Sequence, residues 1–208
     1  MTFALGVERS ATGQPWRWRR SGEPGLTMDA LVDELLLARG VARDDLDRHR
    51  RPTIRDFLPD PSAFKDMDKG AARLADAVQA GETIAIFGDY DVDGATSSAL
   101  LVLLLRQLGV DAMVYIPDRL MEGYGPSGAA LVELKNRGAS LAVTVDCGAQ
   151  AFEALQEAKD AGLDVIVVDH HKCATLLPVT HALINPNRLD EGDLGAAHGH
   201  IAAVGMAF

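Results

Sequence analysis

Three short apolar runs, each ending in acidic or imidazole side chains, constrain this chain more than anything else in it. Thr83-Ile84-Ala85-Ile86-Phe87 leads into Gly88-Asp89-Tyr90-Asp91-Val92-Asp93-Gly94, Leu141 to Val145 into Asp146-Cys147-Gly148, and Asp164 to Val168 into Asp169-His170-His171. Such short runs are what strands buried on both faces require. Helix-length segments separate them: Gly94 to Leu108, Ser127 to Arg137 and Phe152 to Ala161, the first two stopped by Gly109 and Gly138. Ala112 to Ile116 and Ala182-Leu183-Ile184 add two strand candidates, and Lys69 to Ala80 reads as an amphipathic helix ending at Gly81. This alternation predicts an α/β domain, a parallel β-sheet flanked by helices. Ligands of open α/β sheets bind beyond the carboxyl ends of the strands, where all three clusters fall.

The first cluster places aspartates at alternate positions between a strand and a helix. Left alone, Asp89, Asp91 and Asp93 would repel one another and raise each other's pKa; a divalent cation removes the conflict. Oxygen ligands favour magnesium, manganese or calcium over zinc. A calcium loop is excluded, because no glutamate follows at the twelfth position and the segment runs straight into an apolar helix. The neighbouring histidines His170 and His171 shift the preference from magnesium towards manganese. An isolated Asp-Xaa-Gly is ordinarily a turn and an isolated His-His pair a surface loop. Three such clusters at equivalent ends of one sheet are more than core packing demands.

Residues 1–68 read as an N-terminal helical and irregular extension with a connector, and 69–208 as the α/β domain. The extension carries Trp16-Arg17-Trp18-Arg19-Arg20, apolar residues at helical spacing (Leu31, Leu35, Leu36), and the breaks Arg50-Arg51-Pro52 and Leu58-Pro59-Asp60-Pro61. The tryptophans are expected to pin the tail to a core rather than to stack on bases. Arginines crowd this part, yet the whole chain has a net charge of −10, which argues against a general polyanion-coating surface. The longest apolar run, Ala99 to Leu105, falls far short of the roughly 20 residues of a membrane-spanning helix, so no membrane partner is expected. Cys147 and Cys173 form no zinc or disulfide pattern, which fits a reducing cytoplasm. The chain stops within the apolar segment Ile201 to Phe208, as expected of a fragment truncated at its C-terminal end.

GDYDVDG (Gly88 to Gly94), VDCG (Val145 to Gly148) and DHH (Asp169 to His171), in this order, resemble the DHH phosphoesterases. Within that superfamily the chain looks most like the bacterial RecJ single-strand-specific exonucleases. The Trp-Arg cluster, the loop from Pro117-Asp118-Arg119 to Glu122-Gly123-Tyr124-Gly125-Pro126, and Asn185-Pro186-Asn187 add to the likeness. The resemblance implies two manganese or magnesium ions and metal-dependent hydrolysis of single-stranded DNA. The hydrolysis would run 5′ to 3′, release 5′-mononucleotides and serve repair and recombination, repair proteins being the other class of partner. By the same resemblance Asp89 and Asp91 would hold one ion, Asp146 would bridge, and Asp93 with His170 would serve the second. His171 would contact the scissile phosphate and Asp169 would orient a histidine. Family members use one more aspartate beyond Val204-Gly205-Met206-Ala207-Phe208, so this piece is expected to bind metal poorly and to hydrolyse DNA weakly or not at all.

Arg119, Tyr124, Gly125, His171 and Lys172 are the candidate substrate contacts, through phosphate charge and base stacking. His198 and His200 sit among glycines with no evident partner and are read as lying outside the site, and Cys147 as a packed residue. Two other functions fit the motifs: another DHH activity, on short oligonucleotides, cyclic dinucleotides or pyrophosphate, and a non-catalytic nucleic-acid scaffold. A receiver domain also clusters aspartates at strand ends, but would leave the paired histidines unexplained.

Overall fold

A computed structural model of the chain describes residues 3–17 and 27–208, so Trp18, Arg19 and Arg20 lie outside the described residues. The chain divides into two compact units, Met1–Leu58 and Pro59–Phe208.

In the first unit the helices are α1 (Met28–Ala38), α2 (Leu46–Arg50) and α3 (Ile54–Phe57). Thr27 and Thr53 cap α1 and α3 by accepting from the N–H groups of Ala30 and Asp56. Two arginines are internal wiring: Arg50 pairs with Asp33 and Asp47, and Arg48 covers the Phe57 ring and donates to the Asp56 carbonyl. Trp16 corrects the expectation of a pinned side chain, because it is 50% exposed. Main-chain bonds hold its segment instead, from Trp16 N to Val7 O and from Ala4 N to Trp16 O.

The second unit runs α4 (Met67–Ala80), β1 (Ile84–Gly88), α5 (Val92–Gln107), β2 (Met113–Tyr115), α6 (Arg119–Glu122), α7 (Gly128–Asn136), β3 (Leu141–Val145), α8 (Phe152–Asp160), β4 (Asp164–Val168), β5 (Ala182–Ile184), α9 (Asp193–Ala196) and α10 (Ala203–Ala207). The strands form one all-parallel sheet in the order β2-β1-β3-β4-β5. Alternate residues of β1 face opposite sides: Ala85 and Phe87 pack with Leu131, Leu134 and Leu155, and Ile84 and Ile86 with Leu101, Leu105 and Met206. Burial on both faces is why the strands read as unbroken apolar runs. Several boundaries differ from the sequence reading, two of them through polar caps. Helix α5 starts at Val92 because the Asp91 carboxylate caps it. The Arg119 loop opens with α6 because Asp118 accepts from Leu120 N and Met121 N.

The edge strand β5 is buckled down from outside. Asp66, in the left-handed region at φ 60°, accepts from Leu183 N and from Arg188, whose guanidinium also reaches the Leu183 carbonyl and Asp190. Replacing Arg188 with methionine is expected to cost about 2–3 kcal/mol, since charged hydrogen bonds are lost and their partners stranded. Arg188's hydrogen bond holds the Asp190 carboxyl down at about 2. A lowered carboxylate pKa means that its contribution is complete above the ordinary value near pH 4 and fades as pH falls towards 2. The gap between the urea midpoints of wild type and Arg188→Met should therefore be widest at neutral pH and narrow as pH falls to 2, the Leu183 carbonyl bond leaving a remainder. Among the described residues no helix is long and apolar enough to cross a membrane.

Candidate metal centre

Sheet register builds the site. Gly88, Val145, Val168 and Ile184 are neighbours across β1, β3, β4 and β5, so the next residue of each strand joins one row: Asp89, Asp146, Asp169, Asn185. Main-chain bonds extend the ladder into this row, from Asp146 N to Val168 O at 2.9 Å and from Asp169 N to Ile184 O at 3.0 Å. All four side chains are buried, at most 3% exposed. Strand order reverses between β1 and β3, the switch point where α/β sheets open a ligand crevice. Asp89 and Asp146 flank that opening.

The GDYDVDG loop divides its carboxylates among different tasks. Asp91 caps α5, its Oδ1 accepting from Asp93 N and Gly94 N at 2.9 and 3.0 Å, and the Gly94 bond pulls its pKa down. Burial pushes Asp89 up. Gly94 lets the first turn of α5 lie against the strand end, since a Cβ there would stand 2.5–2.7 Å from the Asp89 backbone. Both Asp93 oxygens accept, at 2.8 Å, from Ala203 N and Val204 N at the start of α10. Its Oδ2 is also 3.6 Å from His170 Nε2.

Asp146 is the most stressed residue of the set. Its backbone is left-handed, at φ 61°, a region aspartate tolerates better than most residues. Burial, then the Asp93 and Asp91 carboxylates, push its pKa up to about 7. Oδ1 of Asp146 and Oδ1 of Asp89 are buried without a hydrogen-bond partner among the described residues. Ligand atoms of Asp89, Asp91 and Asp146 lie within 4.8 Å of one another, as do those of Asp146, His170 and His171. Asp146 belongs to both groups, and its Oδ1 is 3.3 Å from His170 Nε2. Unpartnered buried carboxylate oxygens beside imidazole nitrogens form a donor set suited to hard or borderline divalent cations.

Asp169 organises the imidazoles. Its Oδ1 accepts from His170 N, His171 N and His171 Nδ1 at 2.7, 3.1 and 2.7 Å, and its Oδ2 from Ala149 N at 2.9 Å. Burial acts to lower the His171 pKa, but the Asp169 hydrogen bond and charge outweigh it and the net shift is upward. With Nδ1 so engaged, Nε2, which lies 3.4 Å from the Tyr124 hydroxyl oxygen, is the ring nitrogen that would turn to a ligand or a phosphate oxygen. The Tyr124 hydroxyl meets this ring, its oxygen 3.2 Å from Nδ1, and donates to the Asp146 carbonyl at 3.1 Å.

The structure thus brings Asp89, Asp91, Asp146, His170, His171, Asp169 and Tyr124 together, and ties Asp93 to α10. The Arg119 guanidinium lies 4.5 Å over the Tyr90 ring, Gly125 is buried at φ 78°, and Lys172 Nζ is 2.6 Å from Asn187 Oδ1. His198 and His200 pack near each other but join neither ligand group, and burial pushes the Cys147 thiol well up. Sequence reasoning did not single out Tyr90 as the surface under Arg119, nor the role of Asn185 in the row. The signal for Asn185 was its position, directly after a strand as the aspartates are.

Fold and site together define a DHH-type domain. The family model described as the DHH family, N-terminal domain, matches residues 83–208, and the chain belongs to that family. Over 183 residues it is 38% identical to the single-stranded-DNA-specific exonuclease RecJ of Bacillus subtilis (strain 168), covering 88% of this chain and 23% of that protein. With RecJ of Escherichia coli (strain K12) it shares 37% over 180 residues, 86% of this chain and 30% of that one. Among solved structures it is similar to exonuclease RecJ bound to manganese (TM-score 0.60, 34% identity, 69% of this chain and 36% of that one). It is also similar to RecJ in complex with Mn2+ from Thermus thermophilus (TM-score 0.62, 30% identity, 86% and 24%). The chain spans 23% and 30% of the lengths of the two curated relatives.

Proposed function

We propose that this chain carries the binuclear metal centre of a single-strand-specific DNA exonuclease that works from the 5′ end, releases 5′-mononucleotides, and serves repair and recombination in the cytoplasm. The observation that carries the reading is Asp146, one buried carboxylate common to two adjacent ligand groups. Manganese or magnesium would be held by Asp89, Asp91 and Asp146 on one side, and by Asp146, Asp93 and His170 on the other. Such ions, when bound, would lower the pKa of water and neutralise phosphate charge. The relatives named as single-stranded-DNA-specific exonucleases, and the manganese in two of the similar structures, support the choice of substrate and metal.

The chain's own residues then have distinct tasks. His171, held by Asp169 at Nδ1, presents Nε2 to a non-bridging phosphate oxygen and stabilises its growing charge. Tyr124 keeps this ring and the strained Asp146 main chain in place. Arg119, stacked on Tyr90, offers a guanidinium to a neighbouring phosphate, with Lys172 and the Gly125 turn completing the strand's path.

The test compares single-stranded DNA labelled at either end, the matching duplex, a dinucleotide, a cyclic dinucleotide and pyrophosphate, each with manganese, magnesium or EDTA. Slow, metal-dependent release of mononucleotides from the 5′ end of single strands alone is expected. Turnover confined to the short substrates would reassign the site to another DHH chemistry. In the same assay His171→Ala should lower kcat about 100-fold or more while manganese still binds.

A further inference from the structure

The Asn185-Pro186-Asn187 segment plays no part in the chemistry above, yet it leaves β5 at the same offset at which the aspartates leave β1, β3 and β4. Asn185 is fully buried; its Nδ2 donates to the His171 carbonyl at 2.9 Å, and its Oδ1 accepts from Asn187 N at 2.8 Å. Asn187 Nδ2 donates to the His170 carbonyl at 2.7 Å and to the Gly199 carbonyl at 3.0 Å. Its Oδ1 accepts from Lys172 Nζ.

The ladder of β4 and β5 reaches Asp169, whose N–H donates to the Ile184 carbonyl, and the two histidines follow it. Asp169 accepts from the N–H groups of His170 and His171, and the two asparagines donate to the carbonyls of the same two residues. All four main-chain polar groups of the histidine pair are therefore held by side chains, acceptor below and donors above. Only an uncharged amide suits the upper position: it must donate to carbonyls there, and in Asn187 it must also accept from an ammonium. A carboxylate of the same size would set oxygen against oxygen.

We infer that Asn187, backed by Asn185, is a positioning residue for the imidazole half of the metal centre. It sets where His170 and His171 stand relative to Asp146 and keeps the Lys172 ammonium beside the same turn. The inference rests on the metal-centre reading. Loss of hydrogen-bonding support behind metal ligands costs about 10- to 100-fold in affinity. The Asp89–Asp91–Asp146 group takes no support from Asn187, so the loss should be one-sided.

Manganese titration calorimetry on this chain, in wild type, Asn187→Ala, Asn187→Asp and Asn185→Asp, tests this, with His170→Ala marking the imidazole-side step. That step should weaken about tenfold or more in the asparagine variants while the other stays within about threefold. Imidazole nitrogen NMR of the metal-free protein supplies a second readout, in which the His170 and His171 resonances should move in the variants that remain folded. If Asn187→Ala does not fold, the isosteric aspartate variants carry the comparison. Equal weakening of both steps, an unchanged isotherm, or unmoved histidine resonances would overturn the assignment. A wild-type chain that binds no manganese overturns the metal reading instead, and the resonances alone then decide the positioning role.

Discussion

Asp146→Ala is expected to abolish manganese binding in both halves of the centre at once, lowering affinity by more than the roughly 100-fold that follows loss of a supporting partner. The reason is geometric: this one buried carboxylate belongs to both ligand groups, and its Oδ1 has no hydrogen-bond partner among the described residues. Asp146→Asn should lose metal equally, because an amide supplies a weak, uncharged oxygen. The two variants should part company in metal-free stability. Asparagine tolerates the left-handed backbone at φ 61° and removes a buried charge crowded by Asp91 and Asp93. The metal-free Asp146→Asn protein should therefore be more stable than wild type by about 1–2 kcal/mol, the usual gain when a strained functional group is neutralised. Thermal melts with and without manganese measure both effects. Metal-induced stabilisation that persists in the asparagine variant would sink the shared-ligand assignment.

Gly94→Ala should damage fold and site together. Alanine is normally the better helix former, by about 1 kcal/mol over glycine. Here its Cβ would stand 2.5–2.7 Å from the O, C and Cα atoms of Asp89, and backbone cannot swing aside as a side chain can. Either α5 lifts from β1 or Asp89 leaves the row. We expect a loss of about 3 kcal/mol, the upper part of the overpacking range, and manganese affinity at least tenfold lower. Gly128→Ala is the matched control, because the atoms nearest its Cβ would be the Glu157 carboxyl end, which can rotate away. Near-equal urea midpoints for the two variants would refute the close-approach argument.

Much of the domain was legible in the residues themselves. Strands β3, β4 and β5 have the bounds read from the sequence, because a strand buried on both faces is largely apolar, although β4 opens on the exposed Asp164. The start of α5 was placed late because a capping carboxylate lies outside the apolar pattern, and the Arg119 segment hid a helix whose cap is polar too. The arginine-rich N-terminal part read as a charge feature, whereas Arg48 and Arg50 are engaged by neighbours within their own unit. The tie between Asp93 and α10 spans 110 residues and leaves no periodic trace.

By itself, then, the sequence determined the α/β alternation, the carboxyl-edge location of the functional groups and the chemistry of their atoms. These follow from local apolar patterning and from residue type. Tertiary structure alone decided which groups meet. Inter-strand register aligned Asp89, Asp146, Asp169 and Asn185 in one row, a left-handed turn at Asp146 let one carboxylate serve two ligand groups, and Asn185 and Asn187 closed over the histidine carbonyls. Register and long-range hydrogen bonds depend on how separate segments pair once the core excludes water, and no window of neighbouring residues encodes that pairing.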